Sequence, residues 1–183
     1  MASIYNIPEW NTPSGSTYGK NDAVKYAIDG HEYYWYAIQD VPASQAPAEG
    51  SAYWDGVRTI ALTTHSESPT GTKPYFFWKP SYGVQVGNAP RTKSIVFGDG
   101  YEQRLRDGIH NNLLKLSISF ESVNEKEATA ISHFLDEKGG VDDFFFLPPS
   151  PHQVLSKFVC REWQTVLNFD DNFSVTATFD QVP

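Results

Sequence analysis

Helical periodicity is confined to one stretch of this chain. Between Asn124 and Lys138, Ala128, Ile131, Phe134 and Leu135 fall on one face at helical spacing. Asn124 offers an N-cap oxygen, Glu127 three residues on completes a capping box, and Gly139-Gly140 ends the helix. The rest of the chain reads as strand and turn. Leu113–Phe120 alternates Leu114, Leu116, Ile118 and Phe120 with Lys115, Ser117 and Ser119. Phe173–Val182 alternates Phe173, Val175, Ala177 and Phe179 with Ser174, Thr176, Thr178 and Asp180. A period of two places one set against a core and the other in solvent. Lys93–Phe97, Asp143–Leu147 and Lys157–Trp163 add shorter strands. Strands, one helix, then strands again predict an α+β fold, mostly β, with an antiparallel sheet.

Before Pro74 the texture changes. Turn-rich segments (TPSGS, VPASQAPAEGS, SESPTGTKP) separate short aromatic runs, VKYAI and HEYYWYAI. This predicts a small all-β module over residues 1–62, a polar linker over 63–73 and a larger domain over 74–183. A module this small buries a poor core, so it concentrates aromatics: Tyr26, Tyr33, Tyr34, Trp35, Tyr36, Tyr53 and Trp54. On a strand, Tyr33 and Trp35 share one face while Tyr34 and Tyr36 share the other. One face must be core. The other is either an exposed stacking platform or an interface with a neighbouring subunit.

Charge and composition exclude several functions. Fourteen Lys and Arg against 22 Asp and Glu give a net charge of −8, with no basic cluster to grip phosphates. The single cysteine, Cys160, allows no intrachain disulfide and no cysteine-based zinc site. The start, MASIYNIPEW, has no basic segment followed by an apolar run, and no stretch approaches the ~18 apolar residues of a membrane helix. The expectation is a protein made in a cytoplasm that stays soluble or assembles there, with no membrane partner.

No catalytic constellation emerges. His31, His65, His110, His133 and His152 form neither HxH nor HExxH spacing, which argues against a metal centre, and His133 reads as a surface or sheet-facing residue. Gly98–Gly100 lacks the rest of a phosphate-binding loop and reads as a tight turn. Asp142-Asp143 and Asp170-Asp171 are sequence neighbours that diverge on a strand, so neither pair converges on one reacting atom. Cys160 reads as a small buried hydrophobe. No catalytic residue, metal ligand or cofactor is expected.

The second half carries a set of motifs in fixed order: FFWKP (Phe76–Pro80), FGDGYEQR (Phe97–Arg104), FLDEKGG (Phe134–Gly140), the Pro148-Pro149 pair, and Cys160 followed by Trp163. In this order and spacing, across about 110 residues, they resemble the minor tail protein M family of lambda-like siphophages. Phe145-Phe146-Leu147 departs from relatives that often carry a Trp before the prolines, an aromatic-for-aromatic change. The short family members lack the N-terminal extension.

The resemblance implies a tail-tube-like β-sandwich or barrel with one flanking helix and a non-enzymatic role. It further implies a ring of copies of this chain, six in number, joining the tail tube protein to the tip and hub proteins. Viral DNA would pass through the channel without being specifically bound. The protein would reside in the virion tail tip after assembly in the host cytoplasm. The polar segment Gly98–Asn112 is the expected subunit contact, through Asp99, Tyr101, Glu102, Arg104, Arg106 and Asp107. Residues Asn11–Gly56, with Tyr18, a Gly19-to-Asp22 turn, a Val-x-Tyr strand, Gly30, an aromatic strand, Pro47 and Tyr53-Trp54, look like small chitin- and cellulose-binding modules. That implies stacking of Tyr33, Trp35, Tyr53 and Trp54 on a host-surface polysaccharide. A glycan-binding adsorption protein of the virion is the alternative function.

Overall fold

The computed structural model describes residues 7–11, 17–59 and 72–183. Among them it contains twelve strands and one helix in three sheets. The first sheet is a meander of β1 (Ala23–Ile28), β2 (His31–Ala37) and β3 (Trp54–Asp55). Its β1–β2 turn is Asp29-Gly30, with φ of 49° and 81°, the left-handed pair that a two-residue hairpin requires. Val24, Trp35, Ala37, Val41 and Trp54 form its core.

The main sheet has the order β4-β5-β10-β11-β12-β9-β6. Its strands are β4 (Val57–Thr59), β5 (Thr72–Phe76), β6 (Gln85–Asn88), β9 (Leu114–Val123), β10 (Phe144–Phe146), β11 (Ser156–Phe169) and β12 (Asn172–Val182). All neighbours run antiparallel except β5 and β10. The sheet does not close, so of the sandwich-or-barrel expectation the mostly-β architecture with one flanking helix is found and the barrel is not. Between β6 and β9 stands a separate hairpin of β7 (Thr92–Val96) and β8 (Glu102–Arg106), which among the described residues pairs only with itself.

The alternations read from sequence decide the sheet's two faces. Leu116, Ile118 and Phe120 on β9 and Val175, Ala177 and Phe179 on β12 are buried. Phe76 is the centre of their cluster, with ring centroids 5.1–5.9 Å from Trp78, Phe120, Phe134, Phe144, Phe146 and Phe179. Such ring pairs add to the area term at each contact.

Helix α1 (Glu125–Lys138) covers this face. The Asn124 side chain accepts from the Glu127 backbone N–H at 2.8 Å, and Gly139 closes the helix at φ 54°. Six consecutive residues, Ala130–Leu135, are buried. Six residues exceed one helical turn, so α1 must be covered on more than one side. Ser132 Oγ lies 2.8 Å from Thr165 Oγ1 on β11, while His133 meets Tyr34 and Tyr36 of β2. The helix is therefore sandwiched between the main sheet and the N-terminal module.

Two expected boundaries shift. Val57–Thr59, assigned by sequence to the module, forms an edge strand of the main sheet. The expected linker at 63–73 lies outside the described residues except for Thr72 and Lys73, which begin β5. Strand β11 runs past Trp163 to Phe169, well beyond its pairing with β10 at Ser156–Phe158, while β9 follows β12 as far as Phe173.

Candidate assembly surfaces

The β7–β8 hairpin gathers every residue expected at a subunit contact. Asp99, Tyr101, Glu102, Arg104, Arg106 and Asp107 are all exposed. Gly98–Asn112, expected as a loop, is one-third strand: Glu102–Arg106 pair across to Thr92–Val96. The Phe97 N–H donates to the Tyr101 carbonyl at 2.8 Å and closes the turn over Gly98–Gly100. Directly paired residues share a face. Thr92 with Arg106, Ser94 with Arg104 and Val96 with Glu102 make one, which is mostly polar. Arg104 donates to Glu102 at 2.8 Å and Ser94 also bonds Glu102; these bonds hold the Glu102 carboxyl below its ordinary range.

The opposite face pairs Lys93 with Leu105 and Ile95 with Gln103, and Phe97 and Tyr101 continue it with ring centroids 5.8 Å apart. Ile95 is 42% exposed, Phe97 46%, Leu105 45% and Tyr101 67%. Among the described residues no strand or helix is laid on this apolar face.

A second exposed apolar cluster sits at the tip of the β11–β12 ribbon. Leu167 is 61% exposed and Phe169 68%, beside the Asp170-Asp171 turn. Asp171 accepts from the Glu125 backbone N–H at 3.0 Å, which ties the turn to the start of α1. Sequence reasoning missed this tip because Leu167 and Phe169 flank a bulge between Leu167 and Phe169 that breaks the alternation.

The module's aromatics are used internally. Trp35 and Trp54 are 0% and 1% exposed, with their indole N–H groups donating to the Tyr26 and Gln45 carbonyls. This corrects the expected glycan platform: neither indole has a face left to stack on a sugar. Tyr33 and Tyr53 are half-buried against the same cluster. The other face of β2 is no open platform either. Tyr36 is buried, and its hydroxyl lies 2.9 Å from His133 Nδ1. The Tyr36 ring also meets Trp78 and Phe134 at 5.1 and 5.9 Å. At the rim, Lys126 Nζ reaches Asp22 Oδ1 at 3.0 Å.

This contact sets the local titration. Burial holds the His133 imidazole down to a pKa of about 4 and pushes the Tyr36 phenol well above its ordinary value. Glu137, whose carboxylate lies 3.9 Å from His133 Nε2, is raised by burial. The expectation of a surface or sheet-facing His133 is thus corrected: it faces the module. Cys160 is fully buried, with its thiol pushed up to about 11 by desolvation. On the open side of the main sheet, Gln85, Ser117, Ser119, Gln164, Thr176 and Thr178 line a recess of about 300 Å³. Glu162 is its one carboxylate, too few for acid–base work by a carboxylate pair.

Residues 74–183 match the phage minor tail protein family. Tail tip protein M of Escherichia phage lambda is 35% identical over 107 residues, covering 58% of this chain and 95% of that protein. Tail tip protein M of Escherichia phage N15 is 30% identical over 107 residues, covering 55% of this chain and 91% of that protein. Among solved structures, a chain of a "Tail of empty GTA particle computed with helical refinement, C6 symmetry" aligns at 15% identity. It covers 57% of this chain and 78% of that one with a TM-score of 0.38, too loose a likeness to carry an argument. The family match takes in the main sheet from Pro74 onward, the exposed hairpin, α1 and the β11–β12 ribbon, which is more than half of the sequence; this chain belongs to the phage minor tail protein family.

Proposed function

We propose that this protein is a non-enzymatic structural subunit of a siphophage tail tip. Copies of it, six in number, form a ring that joins the tail tube to the tip and hub proteins and continues the DNA channel. The observation that carries this reading is the family match over residues 74–183. The uncovered β7–β8 hairpin supports it, because a ring closed by identical subunits needs a surface that each chain leaves unsatisfied. Asp99, Tyr101, Glu102, Arg104, Arg106 and Asp107 are the proposed polar contacts. A net charge of −8 suits a wall past which DNA must slide without sticking.

The N-terminal module decorates the outside of this ring. With Trp35 and Trp54 in its core, Tyr33 and Tyr53 are the candidate rings left for a host-surface polysaccharide. Electron cryomicroscopy of intact virions tests the main reading. The expected density is a closed ring of this chain around the tube axis at the tail's distal end. A lone copy away from that axis would overturn it.

A further inference from the structure

We propose that copies of this chain join head to tail, the apolar face of one copy's β7–β8 hairpin docking on the β11–β12 tip of the next. The inference rests on the self-assembly reading above and names the two surfaces that carry it.

The first argument is placement. Register fixes both surfaces at opposite ends of the main sheet. Strand β6 enters the hairpin after Asn88, which pairs with Leu114, and the chain returns from the hairpin into Leu114. Leu114 is followed by Lys115, which pairs with Asp180 near the far end of β12. The tip begins at Asn172, the opposite end of that strand, and Phe173 pairs with Val123. The eleven residues of β12 span roughly 35 Å at ~3.3 Å per residue. The two surfaces of one chain are therefore rooted a full strand length apart, and a contact between them belongs to two copies.

The second argument is complementarity. Both surfaces expose large apolar side chains, Ile95, Phe97, Tyr101 and Leu105 on one and Leu167 and Phe169 on the other. Their charges are opposite. On the hairpin's apolar face Lys93 is the one charged residue at the paired positions, while Arg104 and Arg106 lie with Glu102 on the other face. The tip, residues 166–173, carries Asp170 and Asp171 and no basic residue. The docking face of the hairpin thus offers a cation where the tip offers two carboxylates. Two tips would set carboxylates against each other, so the arrangement that favours hairpin-to-tip contact disfavours tip-to-tip pairing.

The third argument is stability. An isolated two-stranded hairpin is marginal in water, and among the described residues this one has no third strand and no helix behind it. A neighbouring copy laid on its apolar face supplies the missing layer. Such a contact is heterologous: each copy keeps one hairpin and one tip unsatisfied until the chain of contacts closes into a ring.

Mixing of two full-length variants tests this directly. Leu105→Asp spoils the hairpin and Phe169→Asp spoils the tip. Both sites are exposed, and circular dichroism melts verify that each variant folds. Sedimentation velocity should show the wild-type chain as an oligomer and each variant alone as a monomer, with self-association weakened by about tenfold or more. An equimolar mixture of the two should form a one-to-one dimer and nothing larger, since it holds one intact hairpin and one intact tip per pair. If both variants assemble like the wild type, this contact falls while the ring reading stands. If the tip variant still dimerises alone, hairpins pair with each other and the head-to-tail geometry is overturned. A wild-type chain that stays monomeric at its solubility limit overturns both the contact and the ring.

Discussion

His133 is where the two halves of the chain are chemically joined. Its Nδ1 sits 2.9 Å from the Tyr36 hydroxyl, and burial holds its pKa near 4 against an ordinary 6.5. An unfolded chain would take up a proton near pH 6.5, whereas the folded one resists protonation down to about 4. Unfolding therefore binds protons in that window, and stability falls as pH drops from 6.5 towards 4. The loss is on the order of 2–3 kcal/mol. Glu137, raised by burial beside it, titrates in the opposite sense, so the measurement is a difference. Urea unfolding of His133→Gln across this range should show a flatter pH profile than the wild type by that amount. Gly56 is the second decisive residue. At φ 115°, a Cβ there would meet the Tyr36 ring at 2.9 Å and the Tyr34 carbonyl at 3.0 Å. Gly56→Ala should cost at least about 2 kcal/mol in the same assay, through backbone strain and displaced rings.

At the scale of elements, the strands that bury one face were legible and those that bury neither were not. Leu114–Phe120 and Phe173–Val182 announce themselves by alternation because one side of each meets the core. The capping box and the Gly-Gly stop outlined α1 to within a residue, since caps are local chemistry. Its second buried side was invisible, because the cover is Tyr36, ninety-seven residues away in sequence. Strand β8 hid for another reason. Every residue of EQRLR is exposed, so no burial pattern shaped its composition, and the six proposed contact residues read as a loop. Their clustering was legible in sequence, but the apolar face behind them required the register. Because β7 and β8 pair only with each other, the hairpin is dispensable to the core. Replacing residues 92–106 with a short Gly-Ser turn should move the thermal midpoint by only a few degrees. It should abolish self-association in sedimentation.

For the whole molecule, the aromatic surplus of the first half finds its use at an internal seam. The sequence left the second face of β2 as either an open platform or a subunit interface; it is neither, because the chain turns it onto its own helix. Tyr36, Trp78 and Phe134 belong to one continuous cluster with the main core. A chain beginning at Val57 would keep β4 but uncover that seam. Burying one aromatic side chain contributes about 1.5–3 kcal/mol, so the shortened chain should melt several degrees lower. Light scattering should show it associating through the newly bared helix side. An unchanged melt would mean that the module is only tethered.

The passage of the chain through Gly56 has a mechanical consequence. Residue 55 ends a strand of the module and residue 57 begins an edge strand of the main sheet, with no slack between them. The Tyr75 N–H pins Gly56 by its carbonyl at 2.9 Å. Tension applied to the amino end is thus delivered straight into the β4–β5 ladder rather than absorbed by a tether. In optical-tweezer pulling from residue 7 to residue 183, the module should not yield at low force on its own; its rupture and that of β4 should coincide in one event. A tail tip built from such subunits would transmit a tug at its periphery to the tube as a stiff linkage does.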